Sequence, residues 1–386
     1  MKDNDRFPIP REWLSDETVM LADSVARWAA REVTGRRSQH RESYAELHRP
    51  ALASLMEQVG LQDLLWAEPG EPLSATALAA VLEQVGRADT GLGVVLANTA
   101  ALQRCVPSHR KALLSERGAI GSLVLPGFGA EPGAALHGLA PQVRAQATTE
   151  GWTLSGRAVR PQCHGAEATY FGLVTELDGE PALFAVTSRT PGLRVGDRFL
   201  KTGLHASPNA DLELRGVPVS EAELLWRGAA PYRELRSWYY LGCAATASGA
   251  LLATHAILDD WCESRVIKGR GQPFKDNPLV AAMLGDIGGF IGTGRILTLA
   301  LALALEQRGG ADEATHATAV ATARLLLGNA MDGLDKAMEL MASAGYATEW
   351  NLERYWRDIK TLSTYLMLEI VGPVDLARHY FGCRNL

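Results

Sequence analysis

The chain has 386 residues, of which 47% are apolar and 21% are charged. These proportions are ordinary for a globular protein, and the length allows two or three domains, each with its own core. The net charge of -6 at pH 7 gives no reason to expect a nucleic-acid partner.

The sequence predicts no metal site, disulfide framework or membrane attachment. Its cysteines include no Cys-x-x-Cys pair, so we expect reduced thiols in a cytoplasmic protein. The first residues, MKDNDRFPIPREW, alternate charge and proline and lack the apolar core of a signal peptide. The longest strongly apolar run, 296–305, is too short to cross a bilayer.

Residues 1–118 carry helical periodicity, which predicts an N-terminal helical domain. Ser15 is the expected N-cap of a helix that runs to about Val33. Further amphipathic runs predict helices at 44–59, 75–86 and 92–105.

Residues 119–228 change to short alternating or apolar runs separated by Gly, Pro and Asp. Glu150-Gly151 and Asp178-Gly179 have the composition of hairpin turns. The pattern predicts an antiparallel β-barrel or sandwich, with strands at 122–125, 142–149, 152–159, 169–177, 182–188, 193–196 and 210–217.

Residues 229–386 return to long helical periodicities. They predict a four-helix bundle, with helices at 232–265, 278–306, 311–343 and 352–380. Small residues recur in these helices and permit close packing, within the chain or in a dimer or tetramer. GGFIGTG at 288–294 follows no predicted strand, so we do not interpret it as a dinucleotide loop.

Residues 339–365, ELMASAGYATEWNLERYWRDIKTLSTY, predict a helix end, a loop of small residues and a new helix. The small residues allow a ligand or another backbone to approach closely. Charged residues at i, i+3 and i+4 can pair along the new helix, and the simplest interpretation is a solvated, charged helix start.

This stretch, with GY followed by ERYWRD, resembles the last-domain signature of the acyl-CoA dehydrogenase superfamily. The segments from WTLSGRAV to ADLELRGVPV resemble the middle domain of that family, and LSDETVMLADSVARWAAREV resembles its first helices. The resemblance spans all three parts in order. It implies an α+β fold with a helical domain, a β domain and a helical bundle, and FAD-dependent α,β-dehydrogenation of an acyl-CoA thioester.

The resemblance also implies residues that contact FAD. Arg265 matches an arginine that grips the FAD pyrophosphate, although a helix-terminal arginine can also simply offset the helix dipole. Gln272 is a weaker candidate, and Lys268 and Arg270 contact phosphate or are merely exposed. The loop with Glu339, Ser343 and Gly345 matches one that contacts the FAD of a neighbouring subunit. Gln162 stands where the family has a hydroxyl that packs on the flavin.

The chain departs from the family at the flavin ring and at the base. The turn at 125–138 contains no Ser or Thr, and Ala342-Ser343 replaces a Gly-Gly pair. The usual catalytic Glu position holds Leu366, and an alternative position in the first bundle helix holds Tyr239. A tyrosine base requires a strongly lowered pKa. His164 is a further candidate, although a histidine that follows a strand is more often a satisfied surface residue.

Three hypotheses follow from these departures. In the first, a paralogous subunit supplies the Glu and the flavin-ring contacts in a hetero-oligomeric acyl-CoA dehydrogenase. In the second, the chain is a self-sufficient flavoenzyme with a relocated base, or one with other chemistry such as flavin-dependent oxygenation. In the third, it is a non-catalytic relative that binds an acyl-CoA or acyl-carrier thioester or a protein partner. Trp238, Tyr239 and Tyr240 form an aromatic wall of the acyl pocket or belong to the core.

Overall fold

The computed structural model describes residues 6–65, 74–106, 119–127, 136, 139–158, 164–267, 269, 271–365 and 367–383. The N-terminal part is helical, as predicted. Its helices are α1 (Asp16–Ala29), α2 (Arg37–His40), α3 (Arg49–Glu57), α4 (Leu61–Leu65), α5 (Ala75–Ala88) and α6 (Thr90–Arg104).

The first helix begins where the sequence predicts and ends earlier. Ser15 caps it, since its side chain accepts a hydrogen bond from the Thr18 amide at 3.1 Å. The regular helix stops at Ala29 and continues as a wide helical turn over Ala30–Thr34. The helix predicted at 44–59 likewise opens with a wide turn over Tyr44–His48 before α3.

The middle part contains β1 (Gly121–Val124), β2 (Val143–Thr148), β3 (Gly151–Ala158), β4 (Tyr170–Leu177), β5 (Glu180–Thr187), β6 (Leu193–Val195), β7 (Leu212–Val219) and β8 (Leu224–Arg227). These strands form two four-stranded sheets, with orders β1-β4-β5-β8 and β2-β3-β7-β6. Apolar side chains from both sheets share one core. The α+β architecture is confirmed, with the β part as a sandwich.

One pairing corrects the expectation of a purely antiparallel arrangement. β1 pairs with β4 in parallel, with Gly121 opposite Tyr170. Between these two strands the chain crosses to the other sheet and makes the β2–β3 hairpin, so β4 returns beside β1 in the same direction. Both predicted hairpins are confirmed, and Asp178 and Gly179 both have positive φ, as a tight two-residue turn requires. The other turn lies one residue earlier than predicted, because Gly151 already belongs to β3 and pairs with Thr148.

The C-terminal part consists of α7 (Ala229–Ser264), α8 (Pro278–Arg308), α9 (Glu313–Met341), α10 (Leu352–Ser363) and α11 (Gly372–Phe381). The single helix predicted at 352–380 is wrong, because the chain leaves α10 at Ser363. It then forms a wide turn over Met367–Val371 before α11 begins. Pro373 lacks a backbone N–H and therefore fits only the first turn of a new helix.

α7 is the central helix of the molecule, packed against α5, α6, α8 and α9. Its glycines and small residues allow this close packing, as the sequence predicts. A Cβ added at Gly86 of α5 would lie 2.6 Å from the Thr246 carbonyl oxygen of α7. By length and composition alone, α7 and α8 could each span a membrane. The most apolar window of α7 is 83% buried inside the protein, whereas that of α8 is 44% buried.

The charged start of α10 is buried, so the interpretation as a solvated helix start is wrong. Arg354 is 2% exposed, and its guanidinium donates to Asp89 and to the Ala88 carbonyl, each at 3.2 Å. Asp358 accepts a hydrogen bond from the Leu204 amide at 2.5 Å. The helix therefore joins the N-terminal helices to the loop that precedes β7.

Asp89 is the centre of this buried charge cluster. It caps α6 by accepting from the Leu92 amide at 3.1 Å, and it lies 3.2 Å from His48 and 3.5 Å from Arg37. Burial by itself raises the pKa of a carboxyl group. At Asp89 the charges of His48, Arg354 and Arg37 overcome that effect and hold its pKa below the ordinary range.

A second set of ion pairs lies beside this cluster, closer to the surface, and also joins α10 to the N-terminal part and to the loop before β7. Arg357 donates to the Thr202 carbonyl at 2.6 Å and lies 3.1 Å from Glu42. Glu42 also pairs with His205. Burial raises the pKa of Glu42, but the hydrogen bonds and charges of His205 and Arg357 together outweigh burial and lower that pKa to about 2.

Candidate active site

The tyrosines at the alternative base position are buried in the main core. Tyr239 and Tyr240 lie side by side on α7, with ring centroids 5.7 Å apart. Burial raises the pKa of Tyr239 well above its ordinary value, and the neighbouring Cys243 adds to this effect. A general base requires the opposite shift. Tyr239 is therefore unsuited to remove a proton, and Trp238, Tyr239 and Tyr240 all pack in the core.

A basic cleft of about 340 Å³ adjoins these tyrosines at the start of α7. It lies between the first turns of α7 and α9 and the helix α11. Its described lining residues include three arginines and two histidines against two carboxylates: Ala229, Tyr232, Arg233, Arg236, Glu313, His316, Ala317, Asp375, Arg378 and His379. Arg236 also lies over the Tyr240 ring at 6.0 Å from its centroid, so this arginine lies between the cleft and the aromatic residues of α7.

A chain of polar contacts crosses the base of this cleft. Arg236, which is 1% exposed, forms an ion pair with Asp375. His316 lies 3.4 Å from the same carboxylate through Nε2 and 2.8 Å from Ser237 Oγ through Nδ1. These contacts fix the carboxylate of Asp375 at the junction of α7, α9 and α11.

Sequence reasoning missed the members of this cluster. Arg236 and Asp375 are far apart in the sequence, and neither belongs to a local motif. The available signal was weak: Arg236 is the last cation before an uncharged stretch of α7 that extends to His255. A charge at the edge of such a stretch, once buried, requires a partner.

The usual base position, Leu366, lies outside the described residues. Tyr365 precedes it, and the wide turn Met367–Val371 follows it. Tyr365 is close enough to influence the pKa of Tyr239. Tyr365 therefore lies near the aromatic residues of α7.

The structure brings Arg265 and Gln272 together in one exposed hairpin at the end of α7. Val266 pairs with Pro273, and the Ile267 amide donates to the Gln272 carbonyl at 2.9 Å. The Arg265 guanidinium is exposed and stacks 4.5 Å from the centroid of Trp261. Lys268 and Arg270 lie outside the described residues.

The loop after α9 contains the other predicted cofactor contacts. Glu339 and Ser343 are exposed, whereas Gly345 is buried. A Cβ at Gly345 would lie 3.1 Å from the Met338 carbonyl oxygen, so this glycine permits close packing on the end of its own helix. Tyr346, next in the loop, is 68% exposed.

On the flavin-ring side, Gln162 lies outside the described residues, as does most of the turn at 125–138. His164 is described and is 1% exposed, so the expectation of a surface residue is wrong. Its Nε2 lies 3.3 Å from the Tyr44 hydroxyl. Burial lowers the pKa of His164, and the nearby charges of Lys201 and Arg49 lower it further, to about 3. His164 therefore stays uncharged at neutral pH and fits a structural role.

Arg265 and Gln272, in the hairpin after α7, fit the pyrophosphate of a flavin dinucleotide. Within the described part of the chain, Arg265 has no ion-pair partner, and its exposed guanidinium matches two phosphate oxygens. Gln272 lies in the same hairpin and adds an amide. Ser343, in the loop after α9, offers an exposed hydroxyl.

Comparisons with known proteins agree with this architecture. A sequence profile described as "Acyl-CoA dehydrogenase, C-terminal domain" matches residues 241–370. The mitochondrial short-chain specific acyl-CoA dehydrogenase of Rattus norvegicus is 25% identical over 262 residues, which cover 66% of this chain and 60% of that protein. The match thus spans about 60% of the length of that relative.

Solved structures share the fold over nearly the whole chain. Butyryl-CoA dehydrogenase from Megasphaera elsdenii superimposes with a TM-score of 0.81 and 19% identity, covering 95% of this chain and 99% of that one. The prolyl acyl carrier protein oxidase AnaB gives a TM-score of 0.79 and 19% identity, with 95% and 99% covered. The described structure thus shares its fold with butyryl-CoA dehydrogenase and with related solved structures. Residues 241–370 are similar to the C-terminal domain of acyl-CoA dehydrogenases.

Proposed function

We propose that this chain is a subunit of an FAD-dependent acyl-CoA dehydrogenase that shares its active site with a paralogous catalytic subunit. The basic cleft at the start of α7 carries the proposal. Its arginines suit the phosphate groups of coenzyme A, and the adjoining tyrosines of α7 suit an apolar acyl group. In this proposal the assembly oxidises the thioester between its α and β carbons.

In the proposed assembly, this chain binds and orients FAD and the thioester. Bound FAD would supply the acceptor for the hydride that leaves the β-carbon of the thioester. Arg265 and Gln272 hold the pyrophosphate, and the loop with Glu339 and Ser343 contacts the cofactor of the neighbouring subunit. Arg378 and Arg233 hold the phosphates of the thioester at the mouth of the cleft. These roles position the reacting carbons and need no titratable group.

The α-proton requires an acceptor that neither usual position supplies. Leu366 has no titratable group, and the raised pKa of Tyr239 keeps its hydroxyl protonated at neutral pH. We infer that the partner subunit supplies the carboxylate base.

The proposed assembly forms through the C-terminal bundle. Leu279 at the start of α8 is 78% exposed, and a Cβ added at Gly285 or Gly289 meets nothing within 4 Å. An exposed, apolar and closely approachable helix face is typical of an association surface. We propose a dimer or tetramer in which this face of α8 is covered.

The position of the Asp375 carboxylate in the cleft favours a second candidate function, that of a self-sufficient flavoenzyme with a relocated base. Its carboxylate lines the basic cleft and is held in place by Arg236 and His316. A carrier-bound thioester belongs to this alternative, because the structural neighbour AnaB is described as a prolyl acyl carrier protein oxidase.

Anaerobic bleaching of bound FAD by acyl-CoA thioesters distinguishes the two candidates. We expect bleaching when the chain is assembled with its paralogue and none when the chain is loaded with FAD alone. Bleaching by the lone chain that is lost in Asp375→Asn would favour the relocated base.

Arg378→Gln tests the cleft, since a lost phosphate contact raises KM at least tenfold and leaves kcat nearly unchanged. An unchanged KM would place the thioester elsewhere.

A further inference from the structure

One wall of the basic cleft is formed by α11, the short helix that follows the wide turn Met367–Val371. Asp375, Arg378 and His379 of α11 line the cleft, opposite residues from the first turns of α7 and α9. A movement of α11 away from these two helices would therefore widen the cleft.

The attachment of α11 differs from that of the helix before it. All ten residues of α11 lie in the described part of the chain, and among their side chains only that of Asp375 is fully buried. By contrast, α10 buries the apolar side chains of Leu352, Ile359 and Leu362. Burial of apolar surface is what usually holds a helix against its neighbours. Because the apolar side chains of α11 are at most partly buried, a charged group carries much of its attachment.

Asp375 is held by side chains from two other helices. Arg236 of α7 forms an ion pair with it, and His316 Nε2 of α9 lies 3.4 Å from the same carboxylate. Arg236 is itself fixed by aromatic rings, since its guanidinium lies 5.1 Å from the ring centroid of Tyr232 and 6.0 Å from that of Tyr240. The contacts of Asp375 therefore join α11 to the core of the protein.

We propose that α11 is a mobile wall of the cleft, held in place by Asp375, and that this attachment positions Arg378 for a phosphate of the thioester. Asp375 and Arg378 lie three positions apart and share a face of α11. An element with few buried apolar contacts opens more easily than the core does. In this account Asp375 is a positioning residue and does not remove the α-proton.

The inference rests on the thioester site proposed above, but the mobility of α11 can be measured without a thioester. Hydrogen-deuterium exchange of the full chain in its native assembly reports the opening of each helix. We expect the amides of α11 to have protection factors at least tenfold lower than those of the buried segment 241–254 of α7. Equal protection of the two helices would overturn the proposal.

Asp375→Asn removes the charge that holds α11 and should widen this difference in protection at least tenfold further. If that variant does not fold, His316→Gln, which leaves Arg236 with its carboxylate, should still widen the difference at least threefold. Asp332→Asn, at an exposed aspartate of α9, is the matched control and should change it less than twofold. A difference that neither Asp375→Asn nor His316→Gln alters would overturn the role of Asp375.

Coenzyme A distinguishes a failure of this inference from a failure of the thioester site. Saturating coenzyme A should slow the exchange of α11 at least fivefold, because a phosphate held by both Arg378 and Arg233 joins α11 to α7, and Arg378→Gln should abolish that slowing. If coenzyme A has no effect while Asp375→Asn still does, the thioester site is wrong and the attachment of α11 stands.

Steady-state kinetics of the assembled enzyme separate positioning from proton removal. Asp375→Asn should raise the KM for an acyl-CoA at least tenfold and change kcat less than threefold, because the phosphate contact is lost and the chemistry is not. A loss of kcat at unchanged KM would overturn the positioning role and assign Asp375 to proton removal.

Discussion

Asp89→Asn tests the buried charge cluster at the start of α10. The substitution keeps a side-chain oxygen to cap α6 and removes the charge that faces Arg354 at 3.2 Å. Removing one partner of a buried ion pair leaves the other charge uncompensated, which costs about 3–5 kcal/mol. The neighbouring Arg37 and His48 also lose their anion. We therefore expect the free energy of unfolding to fall by about 3 kcal/mol or more.

Asp89→Ala should cost about 1 kcal/mol more than Asp89→Asn, because it also removes the cap on the Leu92 amide. Urea denaturation measures both effects as shifts of the midpoint at constant slope. The control is Glu213→Gln, which removes the exposed ion pair with Arg215 and should cost less than about 1 kcal/mol. An effect of Asp89→Asn no larger than this control would refute the interpretation of the cluster as a buried, mutually dependent set of charges.

Three further predictions concern the active site and the interdomain junction. Leu366→Glu should give measurable dehydrogenation of a simple acyl-CoA by the FAD-loaded chain, and an inactive variant would show that more than the base is missing. Arg265→Gln should weaken FAD binding to the assembled protein at least tenfold without shifting the urea midpoint, since the side chain is exposed; unchanged FAD affinity would contradict the pyrophosphate role. The hydrogen bond to Glu42 raises the pKa of His205, whereas the pKa of Glu42 is lowered from 4.5 to about 2. The stability from this pair is therefore full between about pH 4.5 and pH 6.5. It is lost as pH rises through the raised value of His205, and also as pH falls toward the lowered value of Glu42. His205→Gln should abolish that pH dependence of the urea midpoint, and an unchanged dependence would assign it to other groups.

Local periodicity was sufficient to predict the α+β class and most of the elements. The N-cap at Ser15 and the turn at Asp178-Gly179 depend on residues within a few positions of one another, so the sequence shows them directly. The break between α10 and α11 was missed because the apolar pattern continues through it. Pro373 was the signal that such a helix could not be continuous.

The candidate site was less predictable because its contacts join distant parts of the chain. The spacing of Arg354 and Asp358 suggests only a pair along one helix, whereas the structure connects them to Asp89 and to the Leu204 amide. Likewise, Arg236 and Asp375 meet only when α7 and α11 pack together. Spacing within a helix shows which residues share a face, but it does not show what that face packs against.

The FAD content of the purified protein tests the shared active site most directly. The visible absorbance spectrum of the chain expressed alone is compared with that of the chain co-expressed with its paralogue. We expect little flavin in the lone chain and stoichiometric flavin in the co-expressed assembly. A lone chain that carries one FAD per subunit and oxidises an acyl-CoA would contradict the account and point to a base within this chain.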